Sequence, residues 1–282
     1  MGVMFPIRHK PRKFVEVVNY AFVIAGSEAT GGAGIQVDLK TFQQRDVYGI
    51  GAITCIVAFD PKNNWGHRFV PVDPDVIANQ IEAATGAHDL DVVKIGMLGT
   101  PVTIDTVAGA LEQNKFRHVV LDPVLICKGQ EPGAALDTDT ALRAKVLPHA
   151  TVITPNNFEA TTLSGLEKLE TLDDLKEAAR LIHEQGPQYV VVKGGLDFPG
   201  DDAIDVLYDG EEYHVFSEPK IGDNRVSGAG CTFAAVITAE LAKKASVLEA
   251  VTSARRVVTQ AVRDSVDSNA PFTSVWLSEG NK

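Results

Sequence analysis

Gly228-Ala229-Gly230-Cys231, three small residues and a thiol, opens a helical pattern in which Phe233, Val236, Ile237 and Leu241 are spaced to line one face. A glycine turn running straight into a helix leaves several backbone N–H groups unpaired and pointing the same way. The helix dipole adds partial positive charge at that end, so the turn suits an anion such as phosphate. Cys231 falls in the first turn, where the same field stabilises a thiolate and draws its pKa down. Read locally, the glycines could equally end a loop and the cysteine pack as a small apolar residue. The rest of the chain decides between the two.

The elements that would position this turn can be taken in order. Tyr20–Ala25 reads as a buried strand, followed by the glycine-rich loop Gly26–Gly34 and a helix with Ile35, Leu39 and Phe42 on one face. That layout invites the nucleotide-binding motifs. The lysine of a phosphate-cradling P-loop is missing, however, and so is the dinucleotide fingerprint GxGxxG. The loop therefore reads as a small-molecule contact. Asp38, four residues into the helix, is either a solvated face residue or a carboxylate reaching a ligand.

Ile50–Phe59 is a second strand, and Pro61–Val70 is polar and irregular. Asp73-Pro74 and Thr100-Pro101 cap helices that alternate with the strands Val92–Gly96 and Arg117–Asp122. Leu125–Gly133 is rich in glycine and charge and has the length of a lid. A helix near Thr140–Val146, a strand Thr151–Thr154 and a turn Pro155–Glu159 come next. Thr171 then caps a helix, and the strand Tyr189–Val192 ends in Lys193-Gly194-Gly195. Ala203–Tyr208 and Glu212–Phe216 flank Asp209-Gly210, a hairpin signal, and Ser246 caps a last helix to about Asp264.

Alternation of this kind predicts an α/β fold with a mostly parallel sheet, about eight or nine strands, covered on both faces. Ligands in such sheets bind beyond the carboxyl ends of the strands, where Gly26, Gly96 and Asp122 fall. With no repeat and no linker, residues 18–282 read as one domain behind a solvated extension, residues 1–17.

The composition, 45% apolar and 22% charged over 282 residues, is that of an ordinary soluble globular protein. A formal net charge of −11 argues against nucleic acid or an anionic membrane as partner, while leaving room for a phosphorylated ligand held by local N–H groups and one lysine. No apolar run approaches the ~20 residues of a membrane span. The apolar patch of MGVMFPIRHKPRK is too short for a signal-peptide core and its basic residues follow the patch. Three cysteines, Cys55, Cys127 and Cys231, suit a reducing cytoplasm without a disulfide framework, and no Cys/His pair has zinc-finger spacing.

Together GSEATGGAGIQVDLKTF, VVKIGMLGT, LDPVLICKG, TPNNFEA, VVVKGG and SGAGCTFAA resemble the ribokinase-like superfamily and, within it, the phosphomethylpyrimidine kinase branch, which includes a group of bacterial pyridoxal kinases. The likeness runs in unbroken order over roughly Val18–Val262. It implies a three-layer α/β/α sandwich and transfer of a phosphoryl group from Mg·ATP to a hydroxymethyl group. Gly228, Ala229 and Gly230 would be the anion hole for the transferred group, and Cys231 the catalytic base, its pKa drawn towards 7. Lys193 would meet the ATP phosphates with Asn156, while Glu159 and Asp122 would organise Mg²⁺, an ion suited to oxygen ligands and few protein contacts. Adenine would lie against the hairpin-to-loop region and the last helices. Gly26, Ser27, Asp38, Phe59, Met97 and Val124 would form the substrate side. A homodimer is common among such proteins.

Two departures bear on the substrate. Pyrimidine kinases carry glutamine at the position of Phe59, where it bonds the exocyclic amine and a ring nitrogen. Phenylalanine cannot, and leaving those atoms unpaired would cost ~1–3 kcal/mol. Cys127 sits in a CKG segment resembling that of the pyridoxal kinases, and a lid thiol can add reversibly to an aldehyde. Those kinases often have histidine where this chain has Ser227. The expectation is phosphorylation of pyridoxal, with pyridoxine and pyridoxamine as further acceptors. The alternatives are a hydroxymethylpyrimidine kinase of thiamine synthesis and a non-catalytic vitamin B6 carrier.

Overall fold

The computed structural model describes residues 18–125 and 132–278. The extension, residues 1–17, and most of the lid, Cys127 included, lie outside the described residues. β1 (Tyr20–Glu28) leads through α1 (Gly34–Gln44) to β2 (Tyr48–Asp60), which turns back as β3 (Gly66–Pro71). Next come α2 (Pro74–Ala87), β4 (Val92–Ile95), α3 (Pro101–Gln113), β5 (His118–Leu121), α4 (Pro132–Lys145) and β6 (Val152–Ile153). α5 (Asn157–Ser164), α6 (Leu172–His183) and β7 (Tyr189–Lys193) precede the hairpin β8 (Asp202–Tyr208) and β9 (Tyr213–Pro219). The chain closes with α7 (Ala229–Ala242) and α8 (Val247–Arg263).

One nine-stranded sheet runs in the order β3-β2-β1-β4-β5-β6-β7-β8-β9. The pairings from β2 through β7 are all parallel, and the pairings of β3, β8 and β9 are antiparallel. Alternate residues feed two cores, as the period of a strand requires. Phe22, Ile24, Val93 and Ile95 meet α2, α3 and α6 on one face. Ala21, Val23, Val92 and Val120 meet α1, α7 and α8 on the other.

α7 is apolar on nearly every side and is buried between the sheet and its helical neighbours, which is what an all-round apolar pattern predicts. Burying Phe233, Val236, Ile237 or Leu241 contributes roughly 1.5–3 kcal/mol each, so the helix that carries the glycine turn is anchored in the core. Ile237→Ala would cost about 2–5 kcal/mol and loosen that anchor. The helix starts read from sequence are realised: Asp73, Thr100, Thr171 and Ser246 each cap their helix through the side chain.

Four expectations need correction. Pro61–Val70 is not irregular; Gly66–Pro71 pairs antiparallel with β2. Its residues, GHRFVP, lie at a half-exposed sheet edge, so they lack the apolar alternation that marks a strand with one buried face. β1 does not end at Ala25; it continues through Gly26 to Glu28 after a register shift between Ala25 and Ser27. The helix expected near Thr140–Val146 already begins at Pro132. The turn Pro155–Glu159 is the start of α5, with Asn156 as its cap.

Candidate active site

The glycine turn lies where α7 meets the loop after β1. Gly228 is the cap of α7, at φ +83°, in the left-handed region that favours glycine. A Cβ there would fall 2.0 Å from the carbonyl oxygen of Gly32, so the two glycine-rich segments touch backbone to backbone. No side chain caps α7; the Ala229 N–H turns back to the Val226 carbonyl at 3.4 Å, and the N–H groups of Gly230 and Cys231 that follow are left to a ligand. Ser227 is tied to the C-terminal segment, its N–H donating to the Thr273 carbonyl and its own carbonyl accepting from the Val275 N–H. The turn is thus propped from behind by that segment.

In front of the turn is a cavity of about 430 Å³, lined by residues from the carboxyl ends of several strands. Lys193, the last residue of β7, stands 3.8 Å from the Asp122 carboxylate and 5.6 Å from the Phe233 ring centroid. Its ammonium would sit 3.5 Å from a Cβ on Gly230, which places the charge directly over the turn. Asn156 and Glu159 form the capping box of α5, each side chain accepting the other's backbone N–H. Burial, then the charge of Asp122, pushes the Glu159 carboxyl up to about 8, with Lys193 only partly offsetting them. A cation held between Glu159 and Asp122 would offset both the burial and the charge of Asp122. No group of three or more His, Cys, Asp or Glu side chains placed to hold a metal ion occurs among the described residues. Pro219, Ile221, and Val258 and Val262 of α8 also line the cavity.

Nine residues assigned from sequence therefore line this one cavity: Asp122, Val124, Asn156, Glu159, Lys193, Gly228, Ala229, Gly230 and Cys231. Gly26, Ser27, Asp38, Phe59 and Met97 do not line it. Gly26 faces Cys55, whose sulfur would lie 2.6 Å from an added Cβ, with the Met97 sulfur at 3.5 Å. Only glycine fits there. The Ser27 hydroxyl accepts from Gln36 at 2.6 Å. Phe59 packs its ring against His67 and Phe272, with centroids 4.6 and 4.8 Å apart.

Two readings of the site are corrected by the structure. Asp38 is neither solvated nor open to a ligand; it is fully buried, and the Lys94 ammonium sits 2.9 Å from its carboxylate. Nor is the Cys231 thiol drawn towards 7. Burial pushes it up to about 12, against Lys94 and a Gly34 backbone N–H that favour the thiolate, with Asp122 and Asp38 adding to the rise. The helix end alone does not overcome burial in a site shared with two carboxylates. Sequence reading missed Lys94 altogether, although a lysine inside the short buried strand VVKI is itself a signal. It also missed Arg225, which is paired with Asp197 at the cavity rim.

The fold and this cavity define a class. The model for the phosphomethylpyrimidine kinase family matches residues 28–276, and the chain belongs to that ribokinase-like family. It is 47% identical over 249 residues to a pyridoxine kinase of Bacillus subtilis, covering 88% of this chain and 92% of that one. A solved ADP complex of a pyridoxal kinase from Bacillus subtilis superposes with a TM-score of 0.89 at 45% identity, covering 93% of this chain and 98% of the other. A hydroxymethylpyrimidine/phosphomethylpyrimidine kinase of the same organism is 40% identical over 252 residues, 87% of this chain and 90% of that one.

Proposed function

We propose that this chain transfers the γ-phosphoryl group of ATP to the 5′-hydroxymethyl group of pyridoxal, giving pyridoxal 5′-phosphate, with pyridoxine and pyridoxamine as further acceptors. The observation that carries this reading is the uncapped glycine turn, with the Lys193 ammonium above it and Cys231 in its first helical turn, all facing one cavity. Backbone N–H groups fixed before the reaction stabilise charge that develops in the transition state, because they need no reorganisation when it forms. Lys193 adds a point charge on the same phosphoryl oxygens. The Cys231 thiolate takes the proton of the acceptor hydroxyl as its oxygen attacks phosphorus, and ADP leaves with the bridging oxygen.

Asp122 and Glu159 would hold Mg²⁺, which supplies positive charge to the nucleotide phosphates when bound. Adenine would lie against the hairpin-to-loop region and the last helices, where Pro219, Ile221, Val258 and Val262 line the cavity. Gly26, Ser27, Phe59, Met97 and Val124 would form the acceptor side. Phe59 packs against Phe272 and His67 and has no group to bond an exocyclic amine, which supports a pyridine ring in preference to an aminopyrimidine. Cys127 would meet the aldehyde, so that Cys127→Ala damages pyridoxal turnover far more than pyridoxine turnover. A homodimer and a cytoplasmic location belong to the same reading, and light scattering at the mass of two chains would support the first.

Cys231→Ala tests the reading. It should lower turnover with every acceptor by about 10²–10⁴-fold, the usual contribution of a positioned base, while ATP binding survives. Near-normal turnover in this variant would remove the cysteine from the base role.

A further inference from the structure

Lys193 and Asp205 stand directly opposite each other where β7 pairs antiparallel with β8. Residues so placed share a face of the sheet, with Cβ atoms about 4.5–5.5 Å apart, and opposite charges there attract. The face is that of Val191 and Leu207, turned towards α7 and α8. Among the described residues, however, the carboxylate within ion-pair distance of the Lys193 ammonium is that of Asp122, at 3.8 Å. The ammonium has turned away from its cross-strand neighbour and stands over Gly230.

Arg255 accounts for this. Its guanidinium holds one oxygen of the Asp205 carboxylate, and the other oxygen accepts the Gly194 N–H at 3.2 Å. Arg255 lies on the inward face of α8 with Val251 and Ala254. It also donates to the Ala203 carbonyl at 3.4 Å and sits 5.8 Å from the Phe216 ring centroid. Arg255 and Asp205 are both buried, and both line the cavity that Lys193 enters. As a device for stability such a pair is poor, since an apolar pair of similar volume would often hold the fold as well. The backbone at the end of β7 is fixed without it. The Lys193 N–H donates to the Pro155 carbonyl at 2.9 Å and the Gly194 N–H to the Ile204 carbonyl at 2.8 Å. What these bonds leave free is the flexible lysine stem.

We propose that Arg255 is a positioning residue for phosphoryl transfer: by occupying the Asp205 carboxylate it keeps Lys193 from pairing with its cross-strand neighbour and holds the ammonium over the glycine turn. This rests on the reading of Lys193 as the charge that meets the nucleotide phosphates. Without Arg255 the Asp205 carboxylate is a buried charge with no partner, and Lys193, directly opposite, is the cation placed to answer it. A point charge on a four-carbon stem re-aims readily, whereas the planar fork of an arginine is held by two acceptors at once. Asp205 takes no part in the transfer itself. The harm done by losing Arg255 therefore disappears when position 205 is neutral.

The test is steady-state kinetics with Mg·ATP and pyridoxal, on folded full chain well below its melting temperature. The variants are Arg255→Gln and Arg255→Gln/Asp205→Asn. Glutamine can still donate to the carboxylate but does not neutralise it, and asparagine keeps an acceptor for the Gly194 N–H without the charge. Arg255→Gln should lower kcat about 10²-fold with little change in KM for ATP, as the loss of one preorganised charge does. The double variant should recover most of that loss. A merely structural pair would lower the melting temperature and leave kcat of the folded enzyme unmoved. Unchanged kcat in Arg255→Gln, or equal losses in the two variants, would overturn the proposal. If Arg255→Gln does not fold, the double variant decides alone: near-wild-type kcat supports the proposal, and a loss as large as that of Lys193→Met refutes it. Lys193→Met tests the underlying reading separately. Normal kcat there removes Lys193 from the chemistry, whereas low kcat there beside normal kcat in Arg255→Gln fails this proposal alone.

Discussion

Lys193 and Asp122 face each other at 3.8 Å in the lining of the cavity, too far apart for a hydrogen bond and close enough for their charges to be felt. Each is the first polar side chain beyond or at the end of a buried strand, β7 and β5 respectively. The sheet therefore delivers a cation and an anion to one space and leaves both free to turn towards a ligand. A phosphate chain with its counterion needs that pairing, in which the lysine meets the phosphates and the carboxylate the metal.

Lys193→Met should therefore act on the chemical step more than on the fold. Losing one preorganised charge at a phosphoryl group typically costs about 10²–10³-fold in kcat. Steady-state kinetics with ATP varied would show it, alongside an unchanged melting temperature. A variant with normal kcat and a raised KM for ATP would mean that Lys193 contributes only uniform binding.

Phe59→Gln should raise kcat/KM for hydroxymethylpyrimidine relative to pyridoxal by about tenfold, since one hydrogen bond is worth ~1 kcal/mol net. The tilted ring contacts of Phe59 with Phe272 and His67 would be lost with it, so a lower melting temperature should accompany the switch. Parallel changes for the two acceptors would show that position 59 does not read the exocyclic amine.

A third expectation concerns pH. Burial first of all, outweighing Lys94, holds the folded Cys231 thiol at about 12, against 9 for an ordinary cysteine. Above the lower value the unfolded chain releases a proton that the folded chain keeps, so this contribution to stability is complete below it and is lost as pH rises towards the upper one. From about pH 8 to about pH 10 the loss is roughly 1 kcal/mol. Cys231→Ser has no thiol there to titrate, so its melting temperature should fall less over the same interval. Equal losses in both proteins would show that the thiol is not pushed up.

Much of this arrangement could be read from the chain because it rests on local signals. The caps at Asp73, Thr100, Thr171 and Ser246, the Asp209-Gly210 hairpin and the glycine turn before α7 each depend on a few neighbouring residues. The features that were missed depend on partners far away in sequence. Whether Asp38 is solvated is settled by Lys94, 56 residues on, which takes its carboxylate. The state of Cys231 follows from how deeply the packing of α1, α7 and β4 buries the sulfur, and no property of the helix start encodes that depth. β3 was hidden because an edge strand with little to bury carries little hydrophobic pattern.

The central claim is that this site phosphorylates a pyridine methanol, with the pyrimidine as the poorer acceptor. The direct measurement is ADP release with Mg·ATP, comparing kcat/KM for pyridoxal and for hydroxymethylpyrimidine on the same enzyme. The account predicts a higher kcat/KM for pyridoxal, by at least the roughly tenfold that one misplaced hydrogen bond is worth. A preference for hydroxymethylpyrimidine, or no acceptor-dependent ADP release at all, would contradict it.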